Sequence, residues 1–326
     1  MEKRALGRSG LEVGVLALGT MNWGSDWMRS TPVDERTARG MLDFALEAGV
    51  NLIDTADIYG RGAAEAMLGR ILGKRRGKVL LATKTRWEMK EGDPSSGGLS
   101  RKRIKAALDA SLKRLRTDHV DLYMPHAPDP QVPLEETLEA LAAAVKAGKV
   151  RALGCSNFSG AQWRQALAAQ AAKSLPRFET DQVEYSLAAR AADGDVLPVA
   201  AAEGVSVLAW SPLAGGFLTP LGRRHKVGRG FPPVDERRYS GMVKVLAGVA
   251  GQEKTSPAAA ALAWVLARPG IAAAVVGASS LKQLREDLAL KPLSPKALGY
   301  LDQASMLCSR ASGSKGPEGA GTFVQL

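Results

Sequence analysis

Cysteine is nearly missing from this chain: Cys155 and Cys308 are the only two in 326 residues. Two thiols cannot build a disulfide framework, so a reducing cytoplasm is the expectation. Three histidines and two cysteines, widely spread, make none of the spacings of a metal centre. Long apolar runs are missing too. Nothing approaches the roughly 18 residues of a membrane span, and the N-terminal MEKRALGRSG lacks the apolar stretch of a secretory signal. Aromatic residues amount to 5% and do not interleave with the basic clusters GKRRGK (73–78) and GRRHK (222–226). The net charge of +11 therefore reads as a dispersed solubilising surface rather than a nucleic-acid platform. The same positive field draws in a phosphorylated cofactor or an acidic substrate. There is no G-x-x-x-x-G-K-[ST] phosphate loop. The nearest approach to a dinucleotide fingerprint, GRGAAE (60–65), carries Glu65 where its third glycine belongs. An acid at a helix N-terminus would repel a pyrophosphate, which excludes a Rossmann domain. Asp57 and Glu65 are expected to be solvated or helix N-terminal charges.

What is present is a regular alternation. A hydrophobic content of 45% supports a real core. Eight short apolar runs read as strands: Val15–Thr20, Asn51–Asp54, Val79–Thr83, Val120–Met124, Ala152–Ser156, Thr180–Val183, Ser206–Trp210 and Ala273–Val276. Continuous apolar strands suit a parallel sheet covered by helices. The helical stretches between them carry start and stop signals. Thr31 is expected as an N-cap with Pro32 behind it and Gly49 at the far end; Ser100 opens a helix whose face is Ile104, Leu108, Ser111, Leu112 and Leu115. From Leu134 to Gly148, the residues Leu138, Leu141, Ala142 and Val145 are expected to face inward. Ser159 with Gln162 forms a capping box, and Ser256-Pro257 starts another helix. Eight βα units in about 300 residues fit a (β/α)8 TIM barrel, with an open doubly wound sheet as the structural alternative. RALGRSGLEV reads as an N-terminal β-hairpin turning at Gly7–Gly10 and covering the barrel's bottom. Residues 219–240 read as an inserted loop between strand 7 and helix 8. One domain is expected over 1–310, followed by a Gly/Ser-rich tail at 311–326.

Polar residues recur at the C-terminal ends of these strands. They are Asp54 with Tyr59 following, Thr83-Lys84, His126, Ser156-Asn157, Gln182, Trp210-Ser211, and Gly277 with Ser279. In a barrel these points converge on one rim, where this fold builds active sites. Singly, each residue has an ordinary structural reading: Asp54 as a turn cap, Lys84 as a snorkelling lysine, His126 as a loop stabiliser, Tyr59 as a loop anchor. Four together on one rim point to function.

At these positions the sequence resembles the aldo-keto reductase family over nearly its whole length. The matching stretches are DTADIYG, ATKT, HAPDP, GKVRALGCSNFS, DQVEYS, AWSPLAGG and GASSLKQLRED. The resemblance implies a (β/α)8 barrel and NADPH-dependent reduction of a small-molecule aldehyde or ketone. It implies Tyr59 as general acid, Lys84 as its tuner, Asp54 as the partner of the lysine and His126 as the orienter of the carbonyl. A free phenol, with a pKa of about 10, donates sluggishly near neutrality, and an adjacent ammonium is expected to lower that value. The resemblance also implies that Ser156, Asn157 and Gln182 hold the nicotinamide carboxamide and that Trp210 stacks on the ring where the family more often has tyrosine. Thr20 joins the cofactor set. Ser211, Pro212, Leu213, Gly215 and Gly277 would approach the pyrophosphate; Ser279, Gln283, Glu286 and Asp287 the adenosine end. No arginine stands at Ser279; Arg223, Arg224 or Arg229 would supply charge for a 2′-phosphate. Trp23, Trp27, Trp87 and Phe158 are expected to wall an apolar substrate cleft. The alternative is a cofactor-binding regulatory or redox-sensing protein like the potassium-channel β-subunits of this superfamily. The oligomeric state stays open.

Overall fold

The computed structural model describes residues 1–25, 31–219 and 236–310. Its centre is a closed parallel barrel of eight strands: β3 (Leu16–Gly19), β4 (Leu52–Asp54), β5 (Leu80–Thr85), β6 (Val120–Pro125), β7 (Val150–Ser156), β8 (Phe178–Glu184), β9 (Ser206–Trp210) and β10 (Ile271–Val276). Each strand pairs with its successor, and β10 returns to β3 through Val276↔Leu18. All eight expected strands are present, each within two residues of its predicted start and end. Their apolar continuity follows from burial on both faces. Leu52 of β4 turns into the lumen with Ala17, Leu122, Met124, Leu208 and Val275, while its neighbour Ile53 packs outward under the helices.

The hairpin of β1 (Lys3–Ala5) and β2 (Glu12–Gly14) closes the lower end. Leu6, Leu11 and Val13 join the lumen cluster, and the Arg4 guanidinium donates to the Leu266 and Ile271 carbonyls, both at 2.8 Å. Gly7 takes φ +56°, and a Cβ there would lie 2.6 Å from the Glu179 carbonyl oxygen. The turn therefore requires glycine twice over, for dihedral and for space.

Around the barrel stand α1 (Glu35–Glu47), α2 (Ala63–Leu72), α3 (Arg101–Leu115), α4 (Leu134–Lys146), α5 (Gly160–Ala172), α6 (Val196–Glu203), α7 (Glu236–Gln252), α8 (Pro257–Leu266), α9 (Leu281–Leu288) and α10 (Pro295–Arg310). The expected caps at Ser100, Ser159 with Gln162, and Ser256 are all in place. The start of α1 differs. Its N-cap is Asp34, which accepts from the Thr37 N–H. Val33 is held extended against Asn22 and Gly24 by two backbone hydrogen bonds, so the chain cannot turn helical at Thr31. In α4, Leu138 and Leu141 are buried as expected, but Ala140 and Ala144 share their face while Ala142 and Val145 are half-buried. Residues 236–240, assigned from sequence to the inserted loop, already belong to α7; residues 220–235 lie outside the described residues, as does the tail 311–326.

Helices α2 and α3 meet at closest approach over Gly69, where an added Cβ would lie 2.2 Å from the Arg114 carbonyl oxygen. Alanine gains about 1 kcal/mol of helix propensity over glycine, but overpacking against backbone costs typically 1–3 kcal/mol or more. Gly69→Ala is expected to lower the urea midpoint at unchanged slope, with a net loss of about 1–2 kcal/mol.

Candidate active site

The upper rim gathers the polar strand ends. Lys84, near the end of β5, is fully buried and points into the lumen. Its Nζ donates to Asp54 Oδ2 at 2.7 Å, to the Thr55 carbonyl at 3.0 Å and to Tyr59 Oη at 3.5 Å. Those three contacts use the three N–H groups of an ammonium. The other oxygen of Asp54, Oδ1, accepts from Gln182 Nε2 at 2.8 Å across the barrel. Thr20 closes this cluster, its Oγ1 donating to the Asp54 carbonyl at 3.1 Å. Tyr59 precedes a left-handed run, Gly60, Arg61 and Gly62 at φ +53°, +52° and +94°, which turns the chain sharply into α2. Its ring meets the His126 imidazole edge-on at 5.7 Å, and Trp87 stands 6.3 Å from the same imidazole.

Burial and charge set the protonation of these groups. Burial pulls the Lys84 ammonium down, but the Asp54 carboxylate and the Tyr59 contact outweigh it, so its pKa lies above the ordinary lysine value. The phenol does not follow the expectation of a lowered pKa. Desolvation raises it, Asp54 and Asp57 raise it further, and Lys84 offsets these only in part. His126 is held well below its usual value by burial and by the Lys84 and Arg86 charges, so the imidazole is neutral around pH 7. Its Nδ1 is buried without a hydrogen-bond partner among the described residues.

A second cluster adjoins the first. Ser156 Oγ donates to the Gln182 carbonyl at 2.8 Å. Asn157, at φ +59°, donates its Nδ2 to the His126 carbonyl at 2.9 Å and accepts the Trp210 Nε1–H at 2.9 Å. The half-exposed indole is thus fixed in orientation. After Trp210, Ser211, Ala214, Gly215 and Gly216 all take positive φ, with Pro212 buried, Leu213 half-buried and Gly215 exposed. A third cluster lies beyond β10. Gly277 has open space where a side chain would stand. The Ser279 N–H donates to Gln283 Oε1 at 2.8 Å, Glu286 is half-exposed and Asp287 is buried.

Two of the aromatic residues expected to wall the cleft are buried. Trp23 is fully buried in the core between the barrel and its helices, beside Val33. Phe158 is also buried, edge-on to Phe178 at 6.0 Å. Both rings belong to the apolar core cluster. Trp27, like Arg223, Arg224 and Arg229, lies outside the described residues. Asp57 and Glu65 are buried, not solvated; Thr85 and Arg103 approach Asp57, while Thr83 and Arg114 hold Glu65. Asn22, not singled out from sequence, is buried and donates to Ser279 Oγ at 3.1 Å, while its Oδ1 has no hydrogen-bond partner among the described residues. A polar side chain two residues beyond the first barrel strand's Thr20 is the signal that could have found it.

A closed (β/α)8 barrel with an acid, an ammonium, a phenol and an imidazole at its upper mouth defines an enzyme class, and sequence comparison places the chain within it. The profile of the Aldo/keto reductase family matches residues 15–305, so the chain belongs to that family and is an NAD(P)H-dependent oxidoreductase. It is similar to the oxidoreductase YrpG of Bacillus subtilis, itself described as uncharacterized, with 38% identity covering 88% of this chain and 90% of that one. It is also similar to a probable voltage-gated potassium channel subunit beta of rice, at 32% identity with 88% and 90% coverage. Protein tas of Escherichia coli matches at 32% identity, with 88% and 92% coverage.

Asp287 is pushed up to about 7 by burial and by Glu286. Below pH 4 both folded and unfolded chains hold its proton. Between pH 4 and 7 only the unfolded chain releases it, so stability falls with rising pH and stays lower above 7. Asp287→Asn is expected to match the wild type in chemical denaturation at pH 4 and to exceed it at pH 8 by a few kcal/mol, on the order of 1.4 per pKa unit.

Proposed function

We propose that the rim is the active site of an NADPH-dependent aldehyde or ketone reductase, with Tyr59 as the general acid. The observation that carries this reading is the Lys84 ammonium, 2.7 Å from the Asp54 carboxylate and 3.5 Å from the Tyr59 hydroxyl. When bound, the reduced nicotinamide supplies a hydride to the carbonyl carbon. The chain's own groups do the rest. Tyr59 Oη gives its proton to the carbonyl oxygen as negative charge builds there. Lys84 stabilises the phenolate left behind, and Asp54 keeps the lysine charged and in place. Burial keeps the phenol protonated at rest, so the proton is held until a basic oxygen is presented. The neutral imidazole of His126 donates an N–H to that oxygen and orients it. Trp87, against the imidazole, forms one wall of the substrate site, and Trp27 is assigned the same role from sequence.

The residues present fit a dinucleotide. The Trp210 indole offers a fixed, half-exposed face for stacking, with Ser156, Asn157 and Gln182 around it. Thr20 supports the Asp54 end of this platform. Gly215, exposed at positive φ, and Gly277, with open space over its Cα, let backbone approach a pyrophosphate, beside Ser211, Pro212 and Leu213. Ser279 and Gln283, held by Asn22 and the first turn of α9, face the adenosine end with Glu286 and Asp287; Asn22 Oδ1, without a partner among the described residues, marks a place for a donor there. NADPH is favoured over NADH by the +11 charge and by the arginines of residues 220–235. The cytoplasm, where this cofactor is reduced, suits a chain with only two cysteines.

The relatives named as potassium channel subunits support a second reading, a cofactor-binding regulatory protein. Absorbance at 340 nm with NADPH and a panel of aldehydes separates the two. Under the first reading, Tyr59→Phe lowers kcat by about 10²–10⁴-fold while NADPH binding, followed by fluorescence, is kept. Tight NADPH binding with no turnover of any carbonyl would favour the second. Full activity in Tyr59→Phe would remove Tyr59 as the acid.

A further inference from the structure

Behind the rim lies a second buried charge cluster that the reaction above does not use. Lys84 faces the lumen, so its neighbours Thr83 and Thr85 face outward, toward α2 and α3. There Thr85 Oγ1 donates to Asp57 Oδ2 at 2.6 Å, and Arg103 Nη2 stands 3.5 Å from the same oxygen. Asp57 Oδ1 is buried without a hydrogen-bond partner among the described residues. Alongside, Glu65 accepts from Thr83 Oγ1 at 2.6 Å and from Arg114 Nε at 2.7 Å, and the Tyr123 phenol of β6 shares the field of both acids. The groups facing Asp57 are thus Glu65 from α2, Arg103 and Arg114 from α3, Tyr123 from β6 and Thr85 from β5. Tyr59 also senses its charge.

Three backbone links join this cluster to the rim. The Asp57 N–H donates to the Lys84 carbonyl at 3.0 Å, the His126 N–H donates to the Thr85 carbonyl at 2.9 Å, and Tyr59 follows Asp57 by two residues. One side chain therefore anchors the segments that carry the phenol, the ammonium and the imidazole. We propose that Asp57, acting through Thr85 and Arg103, is a positioning residue that holds Tyr59, Lys84 and His126 in register, and that loss of its charge loosens that register. This rests on the assignment of Tyr59 as the acid. Burial pushes the Asp57 carboxyl up to about 7. The ionised carboxylate is the form that accepts from Thr85 and pairs with Arg103, so the grip is present above neutrality and fades below it.

The test uses the full chain with NADPH and a turned-over aldehyde. Asp57→Asn and Thr85→Val are expected to lower kcat about 10-fold with both KM values within about two-fold, and Asp57→Asn is expected to abolish a rise in kcat between pH 6 and 8 seen in the wild type. A readout independent of turnover is the phenolate absorbance of Tyr59, isolated by subtracting Tyr59→Phe; in Thr85→Val, which keeps the Asp57 carboxyl, this band moves to higher pH, since a loosened Lys84 contact stabilises the phenolate less. Unchanged kcat and pH profile in both variants, or a loss that appears equally in NADPH binding, overturns the proposal, as does an unmoved phenolate band. If Asp57→Asn does not fold, Thr85→Val alone decides on kcat. Full activity in Tyr59→Phe instead overturns the acid assignment, whatever Asp57 does.

Discussion

The upper end of this barrel is organised by one buried ion pair. Lys84 and Asp54 sit at adjacent strand ends with almost no exposure. Two charges taken from water at such cost persist only when their hydrogen-bonding capacity is filled, and here it is. The ammonium spends its three N–H groups on a carboxylate, a carbonyl and a phenol, and the carboxylate takes a further donor from Gln182. The geometry of Tyr59 follows from the pair, since its hydroxyl is the least enclosed of the three acceptors. Removing either charge would strand the other in the lumen, so the pair is both a structural keystone and the source of the field around the phenol.

Strand alternation explains how a second charged system lies so near the first without merging with it. Lys84 and its two flanking threonines belong to opposite faces of β5. The lumen side holds Asp54, Gln182 and Tyr59; the helix side holds Asp57, Glu65, Arg103 and Arg114. Backbone hydrogen bonds, the short chain link from Asp57 to Tyr59 and the field of Asp57 join the two, which makes β5 a partition with polar groups on both surfaces.

Most of the architecture was legible because its signals are local. Eight apolar runs, three serine caps and a glycine-bounded hairpin each follow from a few neighbouring residues. The rim was legible because strand ends converge by topology. What escaped had a tertiary cause. Asp57 and Glu65 look like surface acids until α3 brings Arg103 and Arg114 over them. The α1 start moved from Thr31 to Asp34 through a bridge between loops distant from any helix signal. The Tyr59 shift could not be signed from sequence, because desolvation competes with the lysine and only packing decides the balance. Helix α7 begins inside what composition marks as a loop.

The hairpin floor has a geometric corollary. Leu6, Leu11 and Val13 fill the lower end and the lumen side chains fill the middle, so the barrel is a solid plug rather than a tunnel, and its polar groups at the upper strand ends open onto one face only.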